Sequence, residues 1–153
     1  MVTIVPATEE HMSRILEIER EAISPPWTHD ALLGEIYKDD SYFVVAVENT
    51  TEPSPCVRVV GFVVLRQVGD DAELLQVAVD RSARRRGVAD MLMDAALEYA
   101  KAHLYKSMYL EVRNSNKAAL ALYSKHSFSL VRRRKAYYTN PVEDALVMSR
   151  DSL

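Results

Sequence analysis

Two long apolar runs in the middle of the chain constrain its fold more than any other feature. Residues 57–68 and 72–79 are rich in valine and leucine, and a Gly-Asp-Asp segment joins them. Such a segment between two apolar runs favours a hairpin turn, so the runs are predicted to be neighbouring strands. Because these runs are hydrophobic at nearly every position, both faces of the strands are predicted to be covered by other parts of the chain. The chain is therefore expected to place helices on either side of a sheet.

Extended and helical patterns alternate around this hairpin. Thr8 and Thr28 are candidate N-caps of two helices, Asn114 or Ser115 caps another, and a longer helix covers residues 87–103. That helix is expected to bury Val88, Met91, Leu92, Ala95, Ala96 and Tyr99. Strands are predicted at residues 2–6, 42–48, 57–68, 72–79, 107–113, 128–135 and 145–150. The order βααβββαβαββ predicts an α/β (α+β) fold with a mixed sheet.

The length of 153 residues predicts one domain over 1–153, with 48% hydrophobic residues to build a core. Residues 49–55, which include Pro53, form the one loop-like stretch and are too short for a domain linker. A single cysteine and four scattered histidines offer no ligand spacing, so no metal is expected. Acidic residues near the N-terminus and the lack of a long apolar run predict a cytoplasmic protein without membrane contact.

The net charge of −3 makes nucleic acid an unlikely partner, although residues 81–86 and 132–135 form two basic clusters. Residues 84–89 follow a predicted strand and open the long helix, where unpaired backbone N–H groups and the helix dipole favour an anion. Gly87 and the small Ala89 leave room for phosphate oxygens. The alternative is an arginine-rich, solvated helix entry. Neither a P-loop nor a GxGxxG motif is present, which argues against nucleotide hydrolysis and dinucleotide binding.

Glu111 is a carboxylate inside an otherwise apolar strand, which makes it eligible as a general base. A purely structural pairing with Arg113 or another arginine is the alternative. Glu73, on the neighbouring strand, is a rival base, but its polar surroundings favour a solvated turn. Cys56 would suggest a covalent intermediate. It lies at a loop edge without a paired histidine nearby in sequence, so a mechanism without a covalent cysteine intermediate is favoured.

Several segments together resemble the GNAT acetyltransferase superfamily, and specifically the ribosomal-protein-alanine N-acetyltransferases. The segments cover nearly the whole chain and are residues 26–28, 75–80, 84–89, 110–116, 121–123, 133–138 and 143–145. The resemblance implies a GNAT-like, mostly antiparallel sheet of about seven strands flanked by about four helices. It also implies acetyl-CoA as cosubstrate, without a metal. The implied cofactor-binding residues are Val77, Ala78, Val79, Arg84, Arg85, Arg86, Gly87, Val88, Ala89 and Asn116.

The same resemblance implies roles for the remaining candidates. Glu111 would be the base, directly or through a water, and Tyr123 the acid, although core packing alone also explains a tyrosine on that helix. The implied substrate-binding residues are Trp27, Tyr137 and Tyr138, which are otherwise ordinary core or surface aromatics. The implied acceptor is a protein N-terminal α-amine, that of a small-subunit ribosomal protein beginning with alanine. Alternatives are a lysine ε-amine, a small amine, or a non-catalytic acyl-CoA or RNA-binding module.

Two positions depart from the family pattern. Ser127 stands where the family has a glycine before the aromatic residue, and Arg81 replaces a proline after Asp80. Neither residue has an expected catalytic role. A serine resists a positive φ, so Ser127 puts the geometry of the local turn in question.

Overall fold

The computed structural model describes residues 1–51 and 55–153. Its strands are β1 (Val2–Pro6), β2 (Ser41–Thr50), β3 (Cys56–Val68), β4 (Asp71–Val79), β5 (Met108–Arg113), β6 (Ser129–Tyr138) and β7 (Glu143–Arg150). Its helices are α1 (Met12–Ala22), α2 (His29–Ile36), α3 (Val88–Ala102) and α4 (Lys117–Lys125). This confirms the predicted order. Of the predicted loop at 49–55, Pro53 lies outside the described residues.

All seven strands form one sheet in the order β1-β2-β3-β4-β5-β7-β6. Every neighbouring pair is antiparallel except β4 and β5, which are parallel. The mixed, mostly antiparallel sheet expected from the resemblance is therefore confirmed. Within the described ranges, no helix combines the length and apolar composition needed to span a bilayer.

The two faces of the sheet carry separate hydrophobic cores. α3 packs on one face over residues such as Leu74, Leu110 and Val112, and α1 and α2 pack on the other over Phe62 and Ala78. The predicted cover on both faces is correct for the middle of β3, which is buried at every position. It is wrong for β4, where buried and half-buried residues alternate, because one edge of this strand borders a cavity.

Of the three predicted N-caps, only Thr28 caps the helix expected; the N-cap of α1 is His11, and Thr8 lies one 3-10 turn earlier. The Oγ1 of Thr28 accepts a hydrogen bond from the N–H of Ala31 at 3.1 Å and caps α2, while Thr8 precedes a short 3-10 turn that leads into α1. The expected cap of α4 at Asn114 or Ser115 is wrong. Asn116 is the N-cap, and its Oδ1 accepts a hydrogen bond from the N–H of Ala119 at 3.1 Å. The chain turns at Ser115, whose N–H donates to a carboxylate oxygen of Glu143 at 2.6 Å.

The buried stripe of α3 is rotated from the prediction. Its buried residues are Val88, Leu92, Met93, Ala96, Leu97 and Ala100. Tyr99 instead lies half-buried at the margin of the helix, where its ring stacks on those of Tyr42 and His103 at centroid distances of 4.1 and 3.9 Å. At the margin of the helix, an aromatic residue can follow the hydrophobic period of the helix and still stack on other rings instead of packing in the core.

Ser127 occupies the left-handed region, with φ of 70°. It follows α4, and the next N–H, that of Phe128, returns to the carbonyl of Tyr123 at 3.0 Å. This is the C-terminal arrangement in which glycine is favoured, because a Cβ strains a left-handed residue. The turn for which the resemblance implies a glycine is therefore formed here with serine.

Replacing Ser127 by glycine is expected to raise the free energy of unfolding by up to about 1 kcal/mol, because it relieves the left-handed strain. Urea unfolding followed by circular dichroism measures the change. Ser124→Gly is the control, since this serine lies within α4 and its replacement is expected to destabilise by about 1 kcal/mol. Equal effects at both positions would contradict the assignment of strain to Ser127.

Candidate active site

A cleft opens where β4 and β5 separate. Over the described part of the chain these strands pair at two positions only, Ala72 with Met108 and Glu73 with Tyr109. Beyond them β4 contains a bulge at Leu75, since the residues on either side of it pair with consecutive residues of β3. A bulge bends its strand and increases the local twist. A cavity of about 1060 Å³ fills the gap between the diverging strands.

The part of β4 that borders this cavity presents an open edge. Val77, Ala78 and Val79 line the cavity and pair with β3 on their other side. The backbone groups along the free edge can accept an extended ligand as an additional strand. The three predicted cofactor residues of β4 thus border a surface suited to an extended, amide-containing chain.

The start of α3 forms one end of the cavity. Met91 donates the first hydrogen bond of the helix, to the carbonyl of Gly87, so the N–H groups of the preceding turn have no acceptor within the helix. Gly87 has φ of 77°, and a Cβ added there would meet no protein atom within 4 Å. Arg85 is also left-handed, with φ of 61°. This turn therefore exposes backbone donors towards open space, as an anion site requires.

The predicted cofactor residues do not all touch the cavity. Arg84, Ala89 and Asn116 line it, whereas Arg85, Arg86 and Gly87 are exposed beside it and Val88 is buried in the core. The Oδ1 of Asn116 is used by the cap of α4, which leaves its amide nitrogen as the group available to a ligand.

Carboxylates neutralise much of the positive charge near α3. Arg81 and Arg84 both bind Glu21, at 3.0 and 2.7 Å, and Arg86 binds Glu48 at 2.5 Å. The hydrogen bond from Arg86 keeps the pKa of Glu48 below its usual range. An anion at this helix terminus would therefore interact chiefly with backbone donors and would compete with Glu21 for Arg84.

Glu111 projects from β5 towards the face covered by α1 and α2, because its neighbours Leu110 and Val112 belong to the opposite core. Its carboxylate lines the cavity and lies 3.3 Å from the guanidinium of Arg134. Tyr137 also donates a hydrogen bond to it, which raises the pKa of this tyrosine. The alternative, in which Glu111 forms a structural ion pair with an arginine, is thus partly correct. The partner is Arg134 and not Arg113.

Tyr123 reaches the same cavity from the other face of the sheet. It lies on α4, packs within the core that contains α3, and is 8% exposed. Burial raises the pKa of its hydroxyl well above the usual range, so the group stays protonated. A carboxylate and a neutral phenol therefore line one cleft from opposite sides. Glu73, the rival base, lies outside the lining of this cavity and borders a smaller one that Glu111 also lines.

Arg113 joins two loops that enclose the Glu111 side of the cleft. Its guanidinium donates to the backbone carbonyls of Ser24 at 3.0 Å, Thr139 at 2.9 Å and Pro141 at 3.1 Å, and to Glu143 at 3.2 Å. Ser24 belongs to the loop between α1 and α2, Thr139 and Pro141 belong to the turn between β6 and β7, and Glu143 is the first residue of β7. Sequence reasoning missed this role, although the position of Arg113 two residues after Glu111, on the same face, was a usable signal.

Two of the three predicted substrate residues line the cavity. Trp27 belongs to the loop between α1 and α2, and Tyr138 lies at the end of β6 with Arg113 4.5 Å above its ring. Burial and the nearby charge of Glu111 raise the pKa of Tyr138 to about 12. Tyr137 does not line the cavity. It packs edge-on against Tyr138 at 5.1 Å and is 48% exposed.

Comparison with known proteins agrees with this geometry. Residues 10–128 match the Acetyltransferase (GNAT) family. The chain belongs to this family. It is 31% identical to the N-alpha-acetyltransferase RimI of Mycobacterium tuberculosis, over 99% of this chain and 93% of the relative. It is also 31% identical to the [ribosomal protein bS18]-alanine N-acetyltransferase of Haemophilus ducreyi, over 92% and 94% of the two chains.

Solved structures of GNAT proteins share the fold. The crystal structure of the ribosomal-protein-S18-alanine N-acetyltransferase from Escherichia coli superposes with a TM-score of 0.84. It is 26% identical and covers 100% of this chain and 96% of the other. Ard1 from Thermoplasma volcanium superposes with a TM-score of 0.85 at 28% identity, over 99% and 98% of the two chains. The diverging β4 and β5 therefore lie within a fold shared with GNAT enzymes.

Removing the guanidinium in Arg113→Ala is expected to lower the free energy of unfolding by about 2 kcal/mol, because it leaves the acceptors in both loops without their charged donor. Hydrogen exchange should become faster in residues 23–28 and 139–143 together. Arg133→Ala is the control, because its ion pair with Asp144 at 3.0 Å is exposed and is expected to contribute less than about 1 kcal/mol. Faster exchange in one loop alone would contradict the connection.

Proposed function

We propose that this protein transfers an acetyl group from acetyl-CoA to the N-terminal α-amine of a protein. The observation that carries the proposal is that Glu111 and Tyr123 line one cleft together with the open edge of β4. A site that transfers an acetyl group from a thioester to an amine needs a proton acceptor for the amine, a proton donor for the leaving thiolate and a surface that holds the acyl donor. The α-amine follows from the RimI-type relatives at 31% identity over most of the chain.

The donor side of the cleft fits acetyl-CoA, which supplies an acetyl thioester. The free edge of Val77 to Val79 and the amide nitrogen of Asn116 suit the amide-containing pantetheine arm. The turn before α3 suits the pyrophosphate, because Gly87 leaves open space in front of unpaired backbone donors. We assign Arg85, Arg86, Val88 and Ala89 to this turn through their backbone N–H groups, and Arg84 through its side chain.

The residues of the chain divide the chemistry between the two faces of the sheet. Glu111 accepts a proton from the acceptor ammonium, directly or through a water, so that the nitrogen lone pair can attack. The backbone N–H of Val77 donates to the negative charge that develops on the carbonyl oxygen. As the new C–N bond forms and the C–S bond breaks, Tyr123 donates its proton to the departing sulfur. The nitrogen of the intermediate loses its second proton to water as the amide forms. The proton held by Glu111 returns to Tyr123 through solvent, which restores both groups.

The acceptor side is formed by Trp27, Tyr138 and the two loops joined by Arg113. Two loops that enclose a cleft suit the end of a polypeptide, and we include Tyr137 as a more exposed flank of the same surface. We propose an alanine-initiated small-subunit ribosomal protein as the physiological acceptor, in line with the name of the Haemophilus ducreyi relative.

The decisive experiment locates the acetyl group. The purified protein is incubated with acetyl-CoA and an alanine-initiated peptide that contains one internal lysine, and the product is fragmented by mass spectrometry. We expect label on the α-amine. Label on the lysine alone would retain the family and overturn the α-amine assignment, and a peptide without label would overturn the proposed activity on such acceptors.

Glu111→Gln is expected to lower the turnover number by about 10² to 10⁴, because it removes the proton acceptor but preserves side-chain shape. Tyr123→Phe is expected to impair transfer as well. Calorimetric titration should show that both variants still bind acetyl-CoA. Glu73→Gln is the matched control, since this carboxylate lies outside the main cavity and its variant should turn over at the wild-type rate. Wild-type turnover in both Glu111→Gln and Tyr123→Phe would falsify the assigned roles.

A further inference from the structure

Glu111 borders two cavities, and its flexible side chain can turn towards either of them. It lines the main cavity and also a smaller one of about 330 Å³, whose lining includes Tyr109 and Arg132. Along β5, Tyr109 precedes Glu111 and Arg113 follows it on the same face, and Arg113 lines the main cavity. The smaller cavity therefore lies on the Tyr109 side of Glu111, and the main cavity lies on the Arg113 side.

Two arginines of β6 share a face of the sheet with Glu111. β7 lies between β5 and β6, and one residue of β7 pairs with both Glu111 and Arg132. The next residue of β7 on this face pairs with both Arg113 and Arg134. Paired residues of antiparallel strands present their side chains on the same face. Arg132 is thus level with Glu111 and borders the smaller cavity, whereas Arg134 is level with Arg113.

Of these two cations, the carboxylate binds Arg134. A guanidinium nitrogen of Arg134 lies 3.3 Å from Oε1 of Glu111, whereas Arg132 forms no ion pair with any of the described residues. Tyr137 supports the contact, because its hydroxyl donates to the same carboxylate and the guanidinium of Arg134 lies 5.1 Å from the centre of its ring. The contact runs diagonally across the sheet. It therefore draws the carboxylate towards the row of Arg113, on the side of the main cavity.

The direction of the carboxylate matters because only the main cavity contains the other groups of the site. Tyr123 and the open edge of β4 line the main cavity, and among the described residues neither lines the smaller one. A carboxylate turned towards Arg132 would leave an acceptor amine in the main cavity without its proton acceptor. The side chains of Arg134 and Glu111 are 39% and 27% exposed, so solvent screens the pair and the carboxylate can exchange partners.

We infer that Arg134 is a positioning residue that holds the carboxylate of Glu111 on the side of the main cavity and keeps it from Arg132. Tyr137 stabilises this arrangement. Arg134 acts through Glu111 alone, since it lies outside the lining of the main cavity. This inference rests on the proposed function, because it explains how the proposed proton acceptor of the same site is oriented.

The test measures acetyl transfer to the alanine-initiated peptide by Arg134→Gln. The turnover number is expected to fall about fivefold, because most of the population turns its carboxylate towards Arg132. The KM for acetyl-CoA should stay at the wild-type value, since the donor side of the cleft is unchanged. Arg133→Gln is the matched control. This neighbouring arginine lies on the opposite face of β6, pairs with Asp144 at 3.0 Å, and its variant should turn over at the wild-type rate.

A second substitution separates orientation from charge. In the double variant Arg132→Gln/Arg134→Gln the carboxylate has no competing cation beside it, so the turnover number should recover most of the loss. If Arg134 acted through its positive charge alone, removal of a second cation would lower the turnover number further. Thermal unfolding of each variant shows whether the fold is retained. A folded double variant that is no faster than Arg134→Gln would overturn the positioning role.

A crystal structure of Arg134→Gln keeps the inference independent of turnover. Its Glu111 carboxylate is expected to pair with Arg132, and a carboxylate that stays in the main cavity would overturn the inference. If the wild type labels the α-amine but Arg134→Gln turns over at the wild-type rate, this inference fails and the proposed function stands. If the wild type labels neither amine, the proposed function fails, and the structure of the variant still decides whether Arg134 orients Glu111.

Discussion

The early end of pairing between the parallel strands β4 and β5 is the constraint on which the rest of the site depends. Two paired positions hold the strands together, and the bulge at Leu75 then directs β4 away. A continuous ladder would have satisfied more backbone groups but would have closed the sheet. Because the strands part, one edge of β4 is open to a ligand, and a passage connects the two faces of the sheet.

That passage explains why the two candidate catalytic groups come from different layers. The alternation of β5 directs Glu111 to the face of α1 and α2, whereas Tyr123 belongs to the α3 side. In an unbroken sheet such residues would be separated by a layer of backbone. Here donor and acceptor can approach from opposite sides, and each side has its own electrostatic character. The α3 side offers helix N–H groups, and the other side offers carboxylates and aromatic rings.

Sequence reasoning predicted the order of elements because hydrophobic period and turn residues are local signals. It also singled out Glu111 as a candidate base, because a lone carboxylate in an apolar strand is a local signal as well. It could not predict that Glu21 and Glu48 would neutralise Arg84 and Arg86, because these contacts join residues far apart in sequence. The start of α4 and the rotation of α3 were also set by tertiary contacts.

The guanidinium of Arg113 has a dynamic consequence. Because one rigid, planar cation holds carbonyls from the α1–α2 loop and from the β6–β7 turn, neither segment can move far without breaking hydrogen bonds to the other. The two segments therefore behave as a single cooperative opening unit with a shared local free energy. Entry of a peptide and release of its product are then governed by one correlated fluctuation, with β5 as its fixed pivot.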